Sequence, residues 1–163
     1  MVSITDAKIV DYQAGLETMQ NVLMLLAAGV DHVSESLGIL DSYMTTSYEK
    51  IIIDLEILSR VERIMQGIDT STYEDDIKAI KEMGPGGVFL THPDTLKSFK
   101  NRWRPTISCW DSYNDWEKKG SLSIEEEANK KYKEILKKSP DSLIDDKIDK
   151  ELKKYMDDIL ENN

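Results

Sequence analysis

The first residues that could do chemistry form a short polar segment near the N-terminus. Asp6 and Lys8 lie two positions apart, and Asp11 and Gln13 follow in the same stretch. Carboxylates and an amine can exchange protons or stabilise a charge that changes during a reaction. A structural role is the alternative, because Asp6 suits a turn and Asp11 suits the start of a helix. We take Asp6 and Lys8 as candidate site residues and leave this alternative open.

A second group combines carboxylates with aromatic rings. Glu35, Asp41 and Tyr43 lie close together in the sequence, and Tyr48 follows them. A carboxylate beside an apolar pocket can balance the charge of a bound cation, and an aromatic ring can hold a cation against its face. Glu35 and Tyr43 are the candidates for such a site. Asp41 and Tyr48 are interpreted as turn and helix-start residues.

A glycine-rich turn, Gly84-Pro85-Gly86-Gly87, precedes His92. A phosphate-binding loop would need the Lys-Ser/Thr pair of a P-loop or the order GxGxxG, and the segment has neither. We therefore reject a phosphate site. The favoured interpretation of His92 is a residue hydrogen-bonded in the turn before Pro93, with a functional role as the alternative.

Other kinds of site are excluded by composition. Cys109 is the single cysteine, so the chain can form neither an intramolecular disulfide nor a Cys-rich zinc site. His32 and His92 do not have the spacing of metal ligands, and we predict no metal site.

The charge of the chain narrows the classes of partner. Among 163 residues, 31 are acidic and 21 are basic, which gives a formal net charge of −10. This balance argues against a nucleic-acid-binding protein and against a basic helix on a membrane surface. The longest apolar stretch is too short to cross a bilayer, and no signal peptide is apparent. We expect a cytoplasmic protein.

These candidate residues need elements that position them, and strands and helices alternate in the first part of the chain. This order predicts a parallel α/β architecture. The predicted strands cover residues 2–5 and 30–36, and the apolar triplet 88–90 is a strand or a buried loop. The predicted helices cover residues 12–28, 48–66 (capped by Ser47), 73–83, 95–102, 124–138 and 143–160. A rise in charged residues divides the chain into residues 1–120 and a charged helical extension, 121–163.

Three segments, taken together, are similar to a known family. They are TDAKIVDYQAGLE at residues 5–17, LDSYMTTSYEKIIIDLEI at residues 40–57 and GPGGVFLTHPDTLK at residues 84–97. Their order and spacing resemble the C-terminal part of the trimethylamine methyltransferase family, which acts with corrinoid proteins. The resemblance covers about residues 3–118 and extends only loosely into the tail.

The resemblance implies a fold and a function. Residues 1–120 would form the C-terminal portion of a (β/α)₈ TIM-type barrel, followed by a helical extension. The reaction implied is methyl transfer from a methylated amine, such as trimethylamine or a betaine, to a corrinoid carried by a partner protein, with no cofactor bound by this chain alone.

The resemblance also distributes roles among the candidate residues. Since active groups of a barrel follow its strands, Asp6, Lys8 and Glu35 are expected to be catalytic, and Gln13 and Tyr43 to bind the amine. Gly86, Gly87 and His92 are expected to face the corrinoid protein.

The length of the chain suggests a hypothesis, since a closed barrel takes about 250 residues. We expect the chain to be the C-terminal fragment of a longer methyltransferase that lacks the N-terminal barrel portion. It would self-associate through exposed strand edges and is expected to be a homo-oligomer. A catalytically inactive truncated protein or a helical interaction protein is the alternative.

Overall fold

The computed structural model describes residues 4–140 and 143–161, and this part of the chain is mostly helical. It divides into two compact units, Met1–Tyr132 and Lys133–Asn163. The helices are α1 (Tyr12–Ala27), α2 (Tyr48–Met65), α3 (Tyr73–Met83), α4 (Pro93–Asn101), α5 (Tyr113–Lys118), α6 (Ile124–Lys138) and α7 (Asp146–Glu161). The strands are β1 (Ile39–Leu40) and β2 (Thr45–Thr46), and 3₁₀ turns cover Asp41–Tyr43 and Phe89–Thr91.

Helices α1 and α2 pack against each other and organise the first unit. Each begins where a side chain caps the first free backbone amides. The carboxylate of Asp11 accepts a hydrogen bond from Ala14 N at 3.1 Å, and Ser47 Oγ accepts one from Lys50 N at 3.2 Å. The predicted bounds of both helices and the cap at Ser47 are confirmed to within one residue. Asp11 has the capping role that the sequence left open.

The sheet is an antiparallel hairpin in which Ile39 pairs with Thr46 and Leu40 with Thr45. The predicted strand at 30–36 is wrong, since only Ser34 makes an isolated bridge there. Val30 and Val33 are three positions apart and cannot share one face of a strand, whose period is two. Of the other predicted strand, residues 4–5 are irregular and residues 2–3 lie outside the described residues. The parallel order expected of a barrel is therefore not seen in residues 4–140 and 143–161.

A small apolar core fixes the hairpin to the N-terminal segment. Leu40 is buried with Ala7 and Ala14, and Val10 packs against them. Asp41 N donates to Ala7 O at 2.9 Å and Ser42 N donates to Thr5 O at 3.2 Å. The residues that follow β1 are thus aligned along residues 5–7.

The region after the glycine-rich turn differs from the prediction. Residues 89–91 form a 3₁₀ turn, and Val88 and Leu90 are 63% and 82% exposed. The triplet 88–90 is therefore neither a strand nor a buried loop, because no other strand of the described residues pairs with it. Helix α3 has its predicted bounds, α4 begins two residues earlier than predicted, and α5 was not predicted.

The second unit contains the end of α6 and all of α7. Helix α6 has its predicted bounds, whereas α7 begins at Asp146 and not at 143; residues 141–142 of this region lie outside the described residues. Helix α7 presents exposed apolar side chains, including Ile148, Leu152, Tyr155 and Ile159. Within the described ranges, every helix is too short or too polar to span a bilayer.

Candidate functional site

The turn Asp41–Tyr43 has an unusual backbone. Asp41, Ser42 and Tyr43 have φ values of 48°, 49° and 79°, and Glu35 has a φ of 53°. Left-handed conformations of residues other than glycine are unfavourable by about 1–3 kcal/mol each. Such strain persists only where the surroundings fix it, and it concentrates at functional sites. The turn Asp41–Tyr43 is therefore a candidate part of a functional site.

A polar network joins the turn to the N-terminal segment. Lys8 Nζ lies 2.8 Å from Asp41 Oδ1 and donates to the backbone oxygen of Asp6 at 2.7 Å. Ser42 Oγ donates to the carboxylate of Asp6. The hydrogen bond to Asp41 raises the pKa of Lys8, whose side chain is 69% exposed. The network thus presents a charged ammonium and carboxylate oxygens to solvent.

Glu17 of α1 is also part of this network. Its carboxylate accepts hydrogen bonds from Thr5 Oγ1 at 2.5 Å, Gln13 Nε2 at 2.8 Å and Asp6 N at 2.9 Å. The bond from Thr5, followed by that from Gln13, lowers the pKa of Glu17. Sequence analysis did not assign Glu17 to the site. The signal available was its position four residues after Gln13, one helical turn away.

Glu35 and Tyr43 form a second pair, of which only Tyr43 belongs to the turn. Partial burial, and then the charge and hydrogen bond of Glu35, raise the pKa of Tyr43. The Tyr43 side chain remains 45% exposed, so part of its ring is accessible. The structure therefore brings Asp6, Lys8 and Gln13 into one network and Glu35 and Tyr43 into one pair, and the turn Asp41–Tyr43 links the two. Asp41 has a larger part in the network than the turn role predicted for it.

Two side chains of α2 form a buried ion pair near the start of the hairpin. Lys50 and Asp54 are 1% and 2% exposed. Lys50 Nζ donates to Asp54 Oδ2 at 2.6 Å and to Thr18 Oγ1 at 3.0 Å, and Gly38 N donates to the same Asp54 oxygen at 2.8 Å. Burial raises the pKa of Asp54, against the effect of Lys50. Sequence analysis missed this pair, although a charge pair at i and i+4 within an apolar run was a visible signal.

Glu56, also buried, anchors the segment 106–108. Its carboxylate accepts hydrogen bonds from Thr106 N at 2.7 Å, Ile107 N at 2.8 Å and Arg60 Nη2 at 2.9 Å. Burial alone would raise the pKa of Glu56, but the hydrogen bonds outweigh it, led by that from Ser108, and lower the pKa to about 2. These hydrogen bonds attach the segment 106–108 to α2, so we assign the Glu56 carboxylate a structural role.

A mainly apolar cavity of about 620 Å³ lies in the first unit, between α1, α2, Ser108 and the start of α6. Lys50, Asp54 and Glu56 are among its lining residues, whereas Asp6, Lys8, Glu35 and Tyr43 are not. The candidate site and this cavity are therefore separate features.

The three residues expected to face a partner lie in another segment. His92 Nδ1 accepts a hydrogen bond from Asp94 N at 3.3 Å, so the predicted turn role of His92 is confirmed. Gly86 has a φ of 78° and is exposed, and a Cβ on Gly87 would lie 2.4 Å from Met83 O. The backbone conformation at Gly86 and the close packing at Gly87 thus explain why these two residues are glycine. A partner-facing role remains a prediction.

Histidine, cysteine, aspartate and glutamate are the side chains that could ligate a metal ion in residues 4–140 and 143–161. No group of three or more histidine, cysteine, aspartate and glutamate side chains in these ranges is arranged to hold a metal ion. Cys109 is exposed, and its Sγ lies 3.7 Å from Asp111 Oδ2.

Comparison with known proteins gives a consistent result. Residues 1–160 match a family described as trimethylamine methyltransferase (MTTB). The glycine betaine methyltransferase of Desulfitobacterium hafniense is 34% identical over 157 residues, covering 94% of this chain and 32% of that protein. The trimethylamine methyltransferase MttB of Methanosarcina barkeri is 31% identical over 155 residues, covering 95% and 31%. The proline betaine:corrinoid methyltransferase of Eubacterium limosum is 29% identical over 133 residues, covering 75% and 27%. The chain thus spans about a third of the length of the curated relatives it matches.

Proposed function

The chain belongs to the trimethylamine methyltransferase family, and we propose that it contributes to methyl transfer from a methylated amine, such as trimethylamine or a betaine, to a corrinoid protein. The observation that supports this most is the match over residues 1–160, together with the activities named for the relatives. Because the chain spans about a third of those relatives, we propose that it acts with the remaining part of such an enzyme. That part would supply the other strands of a (β/α)₈ barrel.

We place the methylated amine at the turn Asp41–Tyr43. A methylated ammonium is a cation with an apolar surface, so it suits a carboxylate next to an accessible aromatic face. Glu35 and Tyr43 provide this combination, since the Glu35 carboxylate is close enough to raise the pKa of the Tyr43 hydroxyl. Gln13 donates its amide nitrogen to Glu17, so the negative end of its carbonyl dipole can be directed at the positively charged methyl groups of the amine.

Asp6 and Lys8 are proposed to stabilise the change of charge. A quaternary ammonium that gives up a methyl group becomes a neutral amine, so the site loses one positive charge during the reaction. Lys8 is held by Asp41, and Asp6 is held by Ser42. Groups that are already oriented need little rearrangement as the charge changes, which is the source of electrostatic catalysis.

The corrinoid is assigned to the partner protein and supplies the methyl acceptor. The residues proposed to face that partner are Gly86, Gly87 and His92, in the segment between α3 and α4, where Gly86 is exposed and Gly87 and His92 are partly buried. The groups of this chain would bind and orient the amine, and the partner would approach from that segment.

Spectroscopy of the cobalt centre tests the proposal. The purified chain is mixed with a methylated amine and a reduced corrinoid protein, with and without a polypeptide that supplies the remaining part of such an enzyme. We expect methylation of the cobalt only when that polypeptide is added, and loss of this activity on Glu35→Gln. Glu62→Gln, on an exposed part of α2, is the matched control and should keep full activity. If no amine is demethylated in either mixture, the proposal is wrong, and the inactive or helical interaction protein is favoured.

A further inference from the structure

We propose that Asp54 is a positioning residue whose buried carboxylate fixes the neck of the β1–β2 hairpin and so holds the turn Asp41–Tyr43 beside Asp6 and Lys8. The functional part of this inference rests on the proposed function, because it takes the turn as the amine site. The structural part stands on the contacts of Asp54 alone.

The neck of the hairpin is the pair Gly38 and Ser47. Ser47 N donates to Gly38 O at 3.0 Å, which closes the hairpin. Gly38 N points the other way and donates to Asp54 Oδ2 at 2.8 Å. Ser47 also caps α2 through its side chain. Both sides of the neck are therefore attached to α2, one through the helix cap and the other through Asp54.

Asp54 is itself held in place by groups from two helices. Lys50, one turn earlier on α2, donates to the same carboxylate oxygen at 2.6 Å, and its ammonium also donates to Thr18 of α1 at 3.0 Å. Both charged side chains are almost fully buried. A buried ion pair of this kind adds little to stability compared with apolar side chains of similar size, and the best argument for one is a specific conformation that it selects.

The conformation that Asp54 selects is the strained one. At its far end the turn is held by the backbone bonds from Asp41 to Ala7 and from Ser42 to Thr5. Three successive left-handed residues would relax if the hairpin could shift along residues 5–7. The bond from Gly38 to Asp54 opposes this shift, because it ties the start of β1 to a helix that cannot move with it.

Two double variants separate positioning from stability. Asp54→Ala alone would leave Lys50 buried without its carboxylate and could prevent folding. Lys50→Met with Asp54→Leu removes both charges and keeps the volume, while Lys50→Met with Asp54→Asn also removes both charges but keeps an oxygen that can accept from Gly38 N. The two variants differ in the acceptor for the hairpin neck.

Hydrogen exchange at the far end of the turn is the first measurement, made on the full chain. Compared with the unmodified chain, we expect the amides of Asp41 and Ser42 to exchange about tenfold faster or more in the double variant with Asp54→Leu. The reason is that a bond to a buried carboxylate opposes local opening. The Asp54→Asn variant should restore slow exchange, and the amides in the middle of α2 should be unchanged in both. Unchanged exchange at Asp41 and Ser42 in the Asp54→Leu variant would overturn the inference, as would equal acceleration in both variants.

Binding of glycine betaine, followed by the chemical shift of ¹³C-labelled Tyr43, is the second measurement. Weaker binding in the Asp54→Leu variant with recovery in the Asp54→Asn variant supports the positioning role, and equal binding in both contradicts it. If the unmodified chain does not bind the amine, the amine site proposed for this chain is wrong. Hydrogen exchange then still decides whether Asp54 positions the turn.

Discussion

Burial and hydrogen bonding shift the pKa values of single carboxylates in this chain in opposite directions. Glu17 and Glu56 both accept several hydrogen bonds, but Glu17 supports an exposed network at the candidate site, whereas Glu56 is buried and holds the segment 106–108. Asp54 shares the buried environment of Glu56, yet has fewer donors, and burial raises its pKa. At Glu56 the hydrogen bonds outweigh burial and lower the pKa, whereas at Asp54 burial outweighs the hydrogen bonds and raises it.

Acid should release the segment 106–108 through protonation of Glu56. The pKa of Glu56 is about 2 in the folded protein, below its ordinary value of 4.5, so the unfolded chain binds the proton more readily. The stabilisation is therefore fully present above about pH 4.5 and is lost as the pH falls towards 2, by an amount of about 3 kcal/mol.

The measurement is urea unfolding at pH 7 and at pH 3. Glu56→Gln should lower the free energy of unfolding at pH 7 and reduce its dependence on pH between these values. Glu62→Gln should leave both unchanged. An unaltered pH dependence in the Glu56→Gln variant would contradict the role of this carboxylate.

The Glu35–Tyr43 pair makes a second prediction at this scale. The carboxylate of Glu35 disfavours ionisation of the neighbouring phenol and contributes to the raised pKa of Tyr43. Glu35→Gln should therefore lower the pKa of Tyr43 towards its ordinary value, as measured by titration of ¹³C-labelled tyrosine. Glu62→Gln should have no effect, and an unchanged Tyr43 pKa in the Glu35→Gln variant would show that the pair does not form.

Much of the polar network was predictable as a set of residues, but not as a geometry. Asp6, Lys8, Gln13, Glu35 and Tyr43 are the expected side chains, and the structure arranges them as a network and a pair that both contact the turn Asp41–Tyr43. The turn itself could not be predicted, because its left-handed residues are Asp41, Ser42 and Tyr43 and not the glycine or asparagine that usually indicate this conformation. For the same reason the contribution of Asp41 was underestimated.

At the scale of elements, the helices other than the short α5 were predictable and the strands were not. Apolar side chains recurring with a helical period and a capping serine determine α2, and its bounds follow from the sequence. The strands β1 and β2 have two residues each, which is too short for an alternating pattern to be recognised. They form because Leu40 is buried and because Gly38 and Ser47 close the neck.

Gly38 gives a prediction for the hairpin, with Gly29 as its control. Both have a left-handed φ, 76° and 77°, so an alanine at either position has a similar backbone penalty of about 1–2 kcal/mol. A Cβ on Gly38 would also lie 2.3 Å from Ile51 Cγ1 and 3.1 Å from Ser47 O, whereas one on Gly29 would have nothing within 4 Å.

Thermal unfolding should therefore show a larger loss of stability for Gly38→Ala than for Gly29→Ala, by about 1–3 kcal/mol. Adding Ile51→Ala should recover part of the difference, since it removes the nearest atom. Equal effects of the two single substitutions would mean that the neck has room to adjust and does not fix the hairpin.

At the scale of the whole chain, the exposed apolar side chains and the greater length of the relatives both indicate surfaces that further residues would cover. On α1, Tyr12, Leu16 and Met24 are exposed, and on α2 so are Tyr48 and Leu55. Exposed apolar surface of this extent usually marks an interaction site. The relatives are about three times as long as the chain. Their additional residues would explain the exposed side chains of α1 and α2 by covering them. The sequence suggested this through its resemblance to a longer family, whereas the parallel strands expected of a barrel are not seen in residues 4–140 and 143–161.

Self-association of the chain is the last prediction, and its expected cause is now different. Strand edges were the expected contact, but the hairpin strands are short, whereas α7 presents apolar side chains at positions 148, 152, 155 and 159. Intervals of four, three and four residues place these on one face, as in a two-helix coiled coil. Leu152→Gln should weaken association by about tenfold or more, because a buried leucine contributes about 1.5–3 kcal/mol. Lys150→Gln, on the opposite face of α7, should leave it unchanged. Sedimentation velocity over a range of concentrations measures both, and a chain that stays monomeric throughout, or two variants that associate equally, would exclude α7 as the contact.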